Sequence, residues 1–117
     1  MAGVKPVGSV VHEGGLPIPF DGRALSGICA RHAVRELALF GSVLREDFTP
    51  ESDVDVLVAY RTGAHPSLLE QGALVADLER LFGRSVDLVS ADSLRPFLRD
   101  EILSTRREVY VETSSEE

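Results

Sequence analysis

Cysteine is nearly absent from this 117-residue chain, where Cys29 stands alone. One thiol allows no intramolecular disulfide, so nothing here argues for an oxidising compartment. Cys29 has no activating neighbour and is expected on the buried side of a helix. Long apolar runs are missing as well: no stretch approaches the ~20 residues that span a bilayer. The first residues show no basic-then-apolar leader. Positive charge is scarce, with 12 Lys and Arg against 19 Asp and Glu, a formal net charge of −7. That argues against broad electrostatic binding to nucleic acid, where a basic patch supplies most of the affinity. It does not exclude a nucleotide whose phosphates already carry metal. Repeats and low-complexity tracts are absent too, and the expectation is a soluble, cytoplasmic protein.

What is present suits one folded domain. Hydrophobic residues make up 44%, enough for a single core at this length. Residues 1–19 are rich in Gly and Pro and read as an irregular arm with a short strand at Ser9-Val10-Val11. His12 sits on that arm as a surface residue. Asp21 is placed to cap a helix carrying Leu25, Ile28, Cys29 and His32 at helical spacing, with His32 a favourable charge near its end. Glu36-Leu37-Ala38-Leu39-Phe40 reads as a strand closed by Gly41.

A second strand is expected from about Asp53 to Tyr60. His65 falls in the turn that follows and has no evident role. Pro66 is expected at the first position of a second helix, with Leu68, Leu69, Ala73, Val75, Ala76, Leu78, Leu81 and Phe82 as its apolar stripe and Gly83 as its stop. Arg84 to Val89 reads as a third strand. Asp92 to Ser104 reads as a last helix with Leu94, Phe97, Leu98, Ile102 and Leu103 inward and Pro96 in its first turn. Glu108 to Val111 reads as a short final strand, and residues 112–117 as a polar tail.

The acids carry the chemistry. In a strand, side chains alternate between faces, so Asp53, Asp55 and Leu57 share one side while Val54, Val56 and Val58 share the other. Two carboxylates at ~4 Å repel by about 4 kcal/mol at an effective dielectric near 20. Such a pair persists when a cation bridges it, when one acid is protonated, or when both are well solvated. Mg2+ favours carboxylate oxygen and binds phosphate at the same time. If Val86 and Leu88 face the helices, Asp87 emerges beside Asp53 and Asp55, the parity a three-carboxylate site requires. Gly41 allows close backbone approach to a phosphate, Ser42 adds a hydroxyl, and Arg45 either meets phosphate or pairs with Asp47 or Glu51. Ser52 is placed to shape the turn before Asp53.

Gly41-Ser42, ten residues, then Asp53-Val54-Asp55 resembles the signature of the minimal nucleotidyltransferases of the DNA polymerase β-type superfamily. Leu39-Phe40 before the glycine, Arg45, and Pro50 and Ser52 before the first acid match as well. The resemblance covers roughly Pro19 to Val111. It implies an α/β (α+β) nucleotidyltransferase fold, with a small mixed sheet and helices packed on one face. It implies that Asp53 and Asp55 bridge two Mg2+ ions, that Asp87 completes the site, and that Gly41, Ser42 and Arg45 position ATP.

A stand-alone chain of this size is similar to the antitoxin of toxin–antitoxin pairs whose partner is a HEPN-type ribonuclease. There the resemblance implies transfer of AMP from ATP to a tyrosine of the toxin. Two other readings remain: a non-catalytic antitoxin that acts by binding its toxin, and a subunit of a small-molecule (antibiotic-type) nucleotidyltransferase. The sequence leaves nucleotide preference, Mg2+ or Mn2+, and a homo-oligomer open.

Overall fold

The computed structural model describes residues 8–11, 18–44, 49 and 51–113. Five strands and three helices run in the order β1 (Gly8–Val11), α1 (Gly22–Arg31), β2 (Val34–Phe40), β3 (Val54–Tyr60), α2 (Leu68–Phe82), β4 (Val86–Ser90), α3 (Pro96–Thr105) and β5 (Arg107–Thr113). Short 3-10 turns occupy Gly41–Leu44 and Ala91–Ser93. The strands form one mixed sheet in the order β1-β5-β2-β3-β4. All neighbours are antiparallel except β3 and β4, which are parallel and joined through α2. A parallel pair needs such a crossover, and a helix supplies it.

Local chemistry sets most boundaries. Asp21 caps α1, its carboxylate accepting from the backbone N–H groups of Arg23 (2.9 Å) and Ala24 (3.4 Å). These are donors the helix cannot satisfy itself. Leu25, Ile28 and Cys29 are buried as their spacing requires. Gly83 ends α2 in the left-handed conformation, φ +70°, where a glycine carries no Cβ penalty. The core lies between α1, α2 and one face of the sheet, with Leu25, Leu74, Leu78, Leu37, Val56 and Val109 fully enclosed. Val54, Val56 and Val58 all face it. Val86 and Leu88 of β4 pack against it from the side.

Several expectations need correction. Pro66 is not the first helical residue. Ser67 is the N-cap of α2, its hydroxyl accepting from Glu70 N–H (3.1 Å) while the Glu70 carboxylate accepts from Ser67 N–H (2.8 Å). This reciprocal capping box fixes the helix start. Leu68 and Leu69 are therefore in the first turn and stand 87% and 85% exposed, and Ala73 is exposed too. Only the later positions of the expected stripe meet the core.

The last helix starts at Pro96 rather than Asp92. Arg95 is extended (φ −69°, ψ 149°), as the steric demand of a following proline favours. None of its residues is fully buried: Phe97 is exposed, against the inward expectation, and Leu98 is partly so, while Ile102 and Leu103 are half-buried. β4 begins at Val86, two residues later than expected, and β5 is longer at both ends.

Candidate active site

Three segments converge at the N-terminal end of β3. Asp53 directly precedes the strand and is exposed, and Asp55 is its second residue and half-buried. On the far side lies β4, where Val54 pairs with Val86 and Asp55 with Asp87 in the parallel ladder. Adjacent strands are ~4.8 Å apart, and partners in register present side chains to the same face. Asp87 is exposed, while its neighbours Val86 and Leu88 face the core. Asp55 and Asp87 thus stand side by side on the face opposite Val54 and Val56.

On the near side lies the end of β2. Phe40 pairs with Asp55 in the antiparallel ladder, so Gly41 begins its turn over that carboxylate. Gly41 has φ +73°, in the region that disfavours a Cβ. A Cβ placed on it would overlap Asp55 Oδ2 and lie 3.2 Å from Cγ. The glycine is thus required twice, by its dihedral angle and by the carboxylate packed against it. Ser42 follows in the 3-10 turn, its side chain outside the described residues, as is Arg45.

Below Asp53 the chain is pinned. Ser52 N–H donates to Thr49 O (2.9 Å), and Thr49 N–H donates back to Ser52 Oγ (3.1 Å). Ser52 shapes the turn as expected. Arg84 Nη1 donates to the same Thr49 carbonyl (2.8 Å), and Val54 N–H donates to Ser85 O (2.9 Å). Val86 N–H donates to the Glu79 carboxylate (3.0 Å). Sequence reasoning missed the parts played by Arg84 and Glu79. A basic residue just before a strand carries no signal of the distant carbonyl it will meet.

The donor set suits a hard divalent ion, since every candidate ligand is a carboxylate oxygen. The ladder pairs Asp55 with Asp87 and leaves Asp53 outside it, and among the described residues no group of three or more His, Cys, Asp or Glu is placed to hold a metal ion by itself. Mg2+ is seldom held that way. It keeps waters and takes one or two carboxylates plus substrate phosphates, which is what an open shelf of acids beside a glycine turn can provide. Phe40, Leu44, Leu98 and Ile102 line a groove of about 520 Å3 that opens beside Gly41.

The histidines stand elsewhere. His32 follows α1 and its Nε2 lies 2.8 Å from Asp77 Oδ2 on α2. The expected end-of-helix charge has a carboxylate partner. Arg31 (3.4 Å) and Arg80 meet Asp77 too. Together, His32 first, they hold the Asp77 carboxyl below the usual carboxylate range. His65 lines a second cavity of about 300 Å3 with His32, Tyr60 and Pro66. Tyr60 ends β3, five residues past Asp55, or roughly 16 Å along the strand. His12 lies outside the described residues.

Among the described residues, no helix is long and apolar enough to cross a membrane. Residues 23–109 match the family model for the nucleotidyltransferase domain. The protein adenylyltransferase MntA of Thermococcus cleftensis is 42% identical over 81 residues, covering 69% of this chain and 78% of that protein. A solved structure described provisionally as a minimal nucleotidyltransferase is 39% identical, with a TM-score of 0.61 over 73% of this chain and 85% of its own. A Shewanella oneidensis complex of a tri-AMPylated HEPN toxin with its MNT antitoxin shares the fold. Its TM-score is 0.56 at 16% identity, over 77% of this chain and 69% of that one. With the acid ladder and the glycine turn at one end of a mixed sheet, and the family model spanning most of its length, the chain belongs to the nucleotidyltransferase domain family and is a nucleotidyltransferase.

Proposed function

We propose that this protein transfers AMP from ATP to a tyrosine hydroxyl of a HEPN-type toxin, and that this modification is how it acts as an antitoxin. The observation that carries the reading is the placement of Asp55 directly beside Asp87 and beneath Gly41. The names of the relatives support it: one is a protein adenylyltransferase, and one fold neighbour is an antitoxin in complex with its AMPylated toxin.

In this reading Asp53, Asp55 and Asp87 hold Mg2+ together with the triphosphate. Bound there, the metal would supply charge stabilisation to both the attacking and the leaving oxygen of an in-line displacement. Gly41 lets the chain's backbone approach the phosphates, Ser42 donates to them, and Arg45 neutralises part of their charge. Asp87, the more exposed of the ladder pair, accepts the proton of the acceptor hydroxyl. That oxygen bonds to the α-phosphorus as the bond to the bridging oxygen breaks, and pyrophosphate departs with the electron pair. In this reading the partner protein supplies the acceptor surface.

Intact-mass spectrometry tests this directly. The HEPN partner is incubated with ATP, Mg2+ and either the wild-type protein or Asp53→Ala. Mass steps of one AMP each are expected with the wild type. They should fall by more than ~100-fold in rate with the variant, beyond what loss of an outer-shell partner costs. A stable complex whose partner stays unmodified would overturn the transferase reading in favour of inhibition by binding.

A further inference from the structure

We propose that Arg84 is a positioning residue for the metal site, setting where Asp53 stands relative to Asp87. The proposal rests on the nucleotidyltransferase reading above. Asp53 and Asp87 are carried by different elements, 34 residues apart in sequence, and neither acid lies deep enough to be fixed by packing. Their separation is set by ties between the two segments: the parallel ladder holds them from Val54 onward, and at the Asp53 end two further bonds occur among the described residues. Val54 N–H, on the C-terminal side of Asp53, donates to Ser85 O. The N-terminal side is held by the turn Thr49 to Ser52, whose Thr49 carbonyl receives both Ser52 N–H and the guanidinium of Arg84.

Asp53 is thus bracketed. Each side is bonded to one of two adjacent residues, Arg84 and Ser85, that lead into the strand bearing Asp87. That strand's first residue is itself anchored, Val86 N–H to Glu79 of α2, so the bracket has a fixed base. A charge-assisted bond is the stronger kind, and Arg84 is half-buried. Of the two ties, the Val54 bond is part of the backbone and survives any side-chain change. The Arg84 bond is the one a substitution removes. Without it the turn is free to swing about Val54 and carry Asp53 away from the other acids.

The test reads metal binding rather than turnover. Mn2+ is titrated into the protein with saturating AMP-PNP, and free Mn2+ is followed by electron paramagnetic resonance. Affinity for AMP-PNP without metal and thermal midpoints are measured alongside. Arg84→Ala should weaken Mn2+ by about 10-fold, the low end of the cost of losing a group bonded to a metal ligand, because Arg84 acts one step further out through Thr49. Metal-free nucleotide affinity should stay unchanged, and Arg84→Lys, which keeps one donor, should recover most of the loss. Arg84→Gln, polar but too short to reach Thr49 O, replaces the alanine variant if that one fails to fold.

Wild-type Mn2+ affinity in both Ala and Gln variants would overturn the proposal. So would a loss of metal-free nucleotide affinity, which would make Arg84 a phosphate ligand instead. Asp53→Ala separates the two levels. If it loses Mn2+ while Arg84→Ala does not, only the positioning role falls. If it binds Mn2+ like the wild type, the site assignment falls and takes the positioning role with it.

Discussion

Gly41 is where a single missing carbon decides the site. Its φ of +73° costs an L-residue about 1–2 kcal/mol, and the space a Cβ needs is filled by the Asp55 carboxylate. Gly41→Ala should therefore push Asp55 aside and reduce kcat/KM for AMP transfer by about 100-fold, the scale at which small misplacements act. The thermal midpoint should fall only modestly. An alanine variant with wild-type turnover would show that Asp55 is free to relocate. Both demands on this position were visible in sequence only as a turn residue after an apolar run. The acids were more legible. Alternation alone put Val54, Val56 and Val58 on the core face and Asp55 opposite them, because a period of two leaves a half-buried strand no other choice. Parity also put Asp87 on the same face as Asp55, but that the two stand opposite each other in the ladder came only with the fold. So did the hydrogen bond from Arg84 to Thr49, since it joins groups whose proximity only the finished fold creates.

Among the elements, α1 and α2 are joined by a charged clasp at their exposed sides. Asp77 of α2 faces His32, Arg31 and Arg80, and its side chain is only 17% exposed. Its carboxyl is held below the ordinary value of 3.8, chiefly by the hydrogen bond to His32. The folded state therefore gives up its proton more readily than the unfolded state. The resulting stability is present above the ordinary carboxylate value and is lost as pH falls through the lowered one. Urea midpoints at about pH 5 and about pH 3 should show a larger drop for the wild type than for Asp77→Asn. The difference should be on the order of 1 kcal/mol, the net scale of an ordinary hydrogen bond, because Arg31 and Arg80 are largely exposed. Equal drops would mean the clasp carries no pH-dependent stability.

The ends of these elements were harder to read than their existence. Pro66 looked like a helix start, yet Ser67 and Glu70 form the capping box that moves the first helical residue to Leu68. That pattern is visible in Ser67-Leu68-Leu69-Glu70 once the spacing of three is given precedence over the proline. For α3 the apolar residues suggested an inward face, which the structure leaves only half covered at Ile102 and Leu103. Periodicity reports that a helix has an apolar side, not that something covers it.

For the whole molecule, Cys29 reports on the integrity of the core. It is fully enclosed between α1 and the sheet, and burial pushes its thiol up to about 12, with Glu112 adding to the rise. A neutral, enclosed thiol does not react. Alkylation should be negligible in the native state and should rise with urea in step with global unfolding, followed by mass spectrometry beside circular dichroism. Labelling well before the unfolding transition would mean that α1 lifts off separately. At this scale the order of elements was largely legible, but the sheet order was not. β1 and β5 meet across about a hundred residues of sequence, and no local pattern announces such a pairing.

That pairing bears on how the chain assembles. β5 does not extend the sheet at its margin. It is inserted between β1 and β2. A polypeptide emerging from its N-terminus can pair β2, β3 and β4, and so bring Asp55 beside Asp87, before residue 107 exists. Until β5 arrives, however, β1 has no neighbour and the long flank of β2 stands open, the kind of unpaired edge that recruits other chains. The acid-bearing half of the sheet is thus topologically early, and the strand that seals it against aggregation is late.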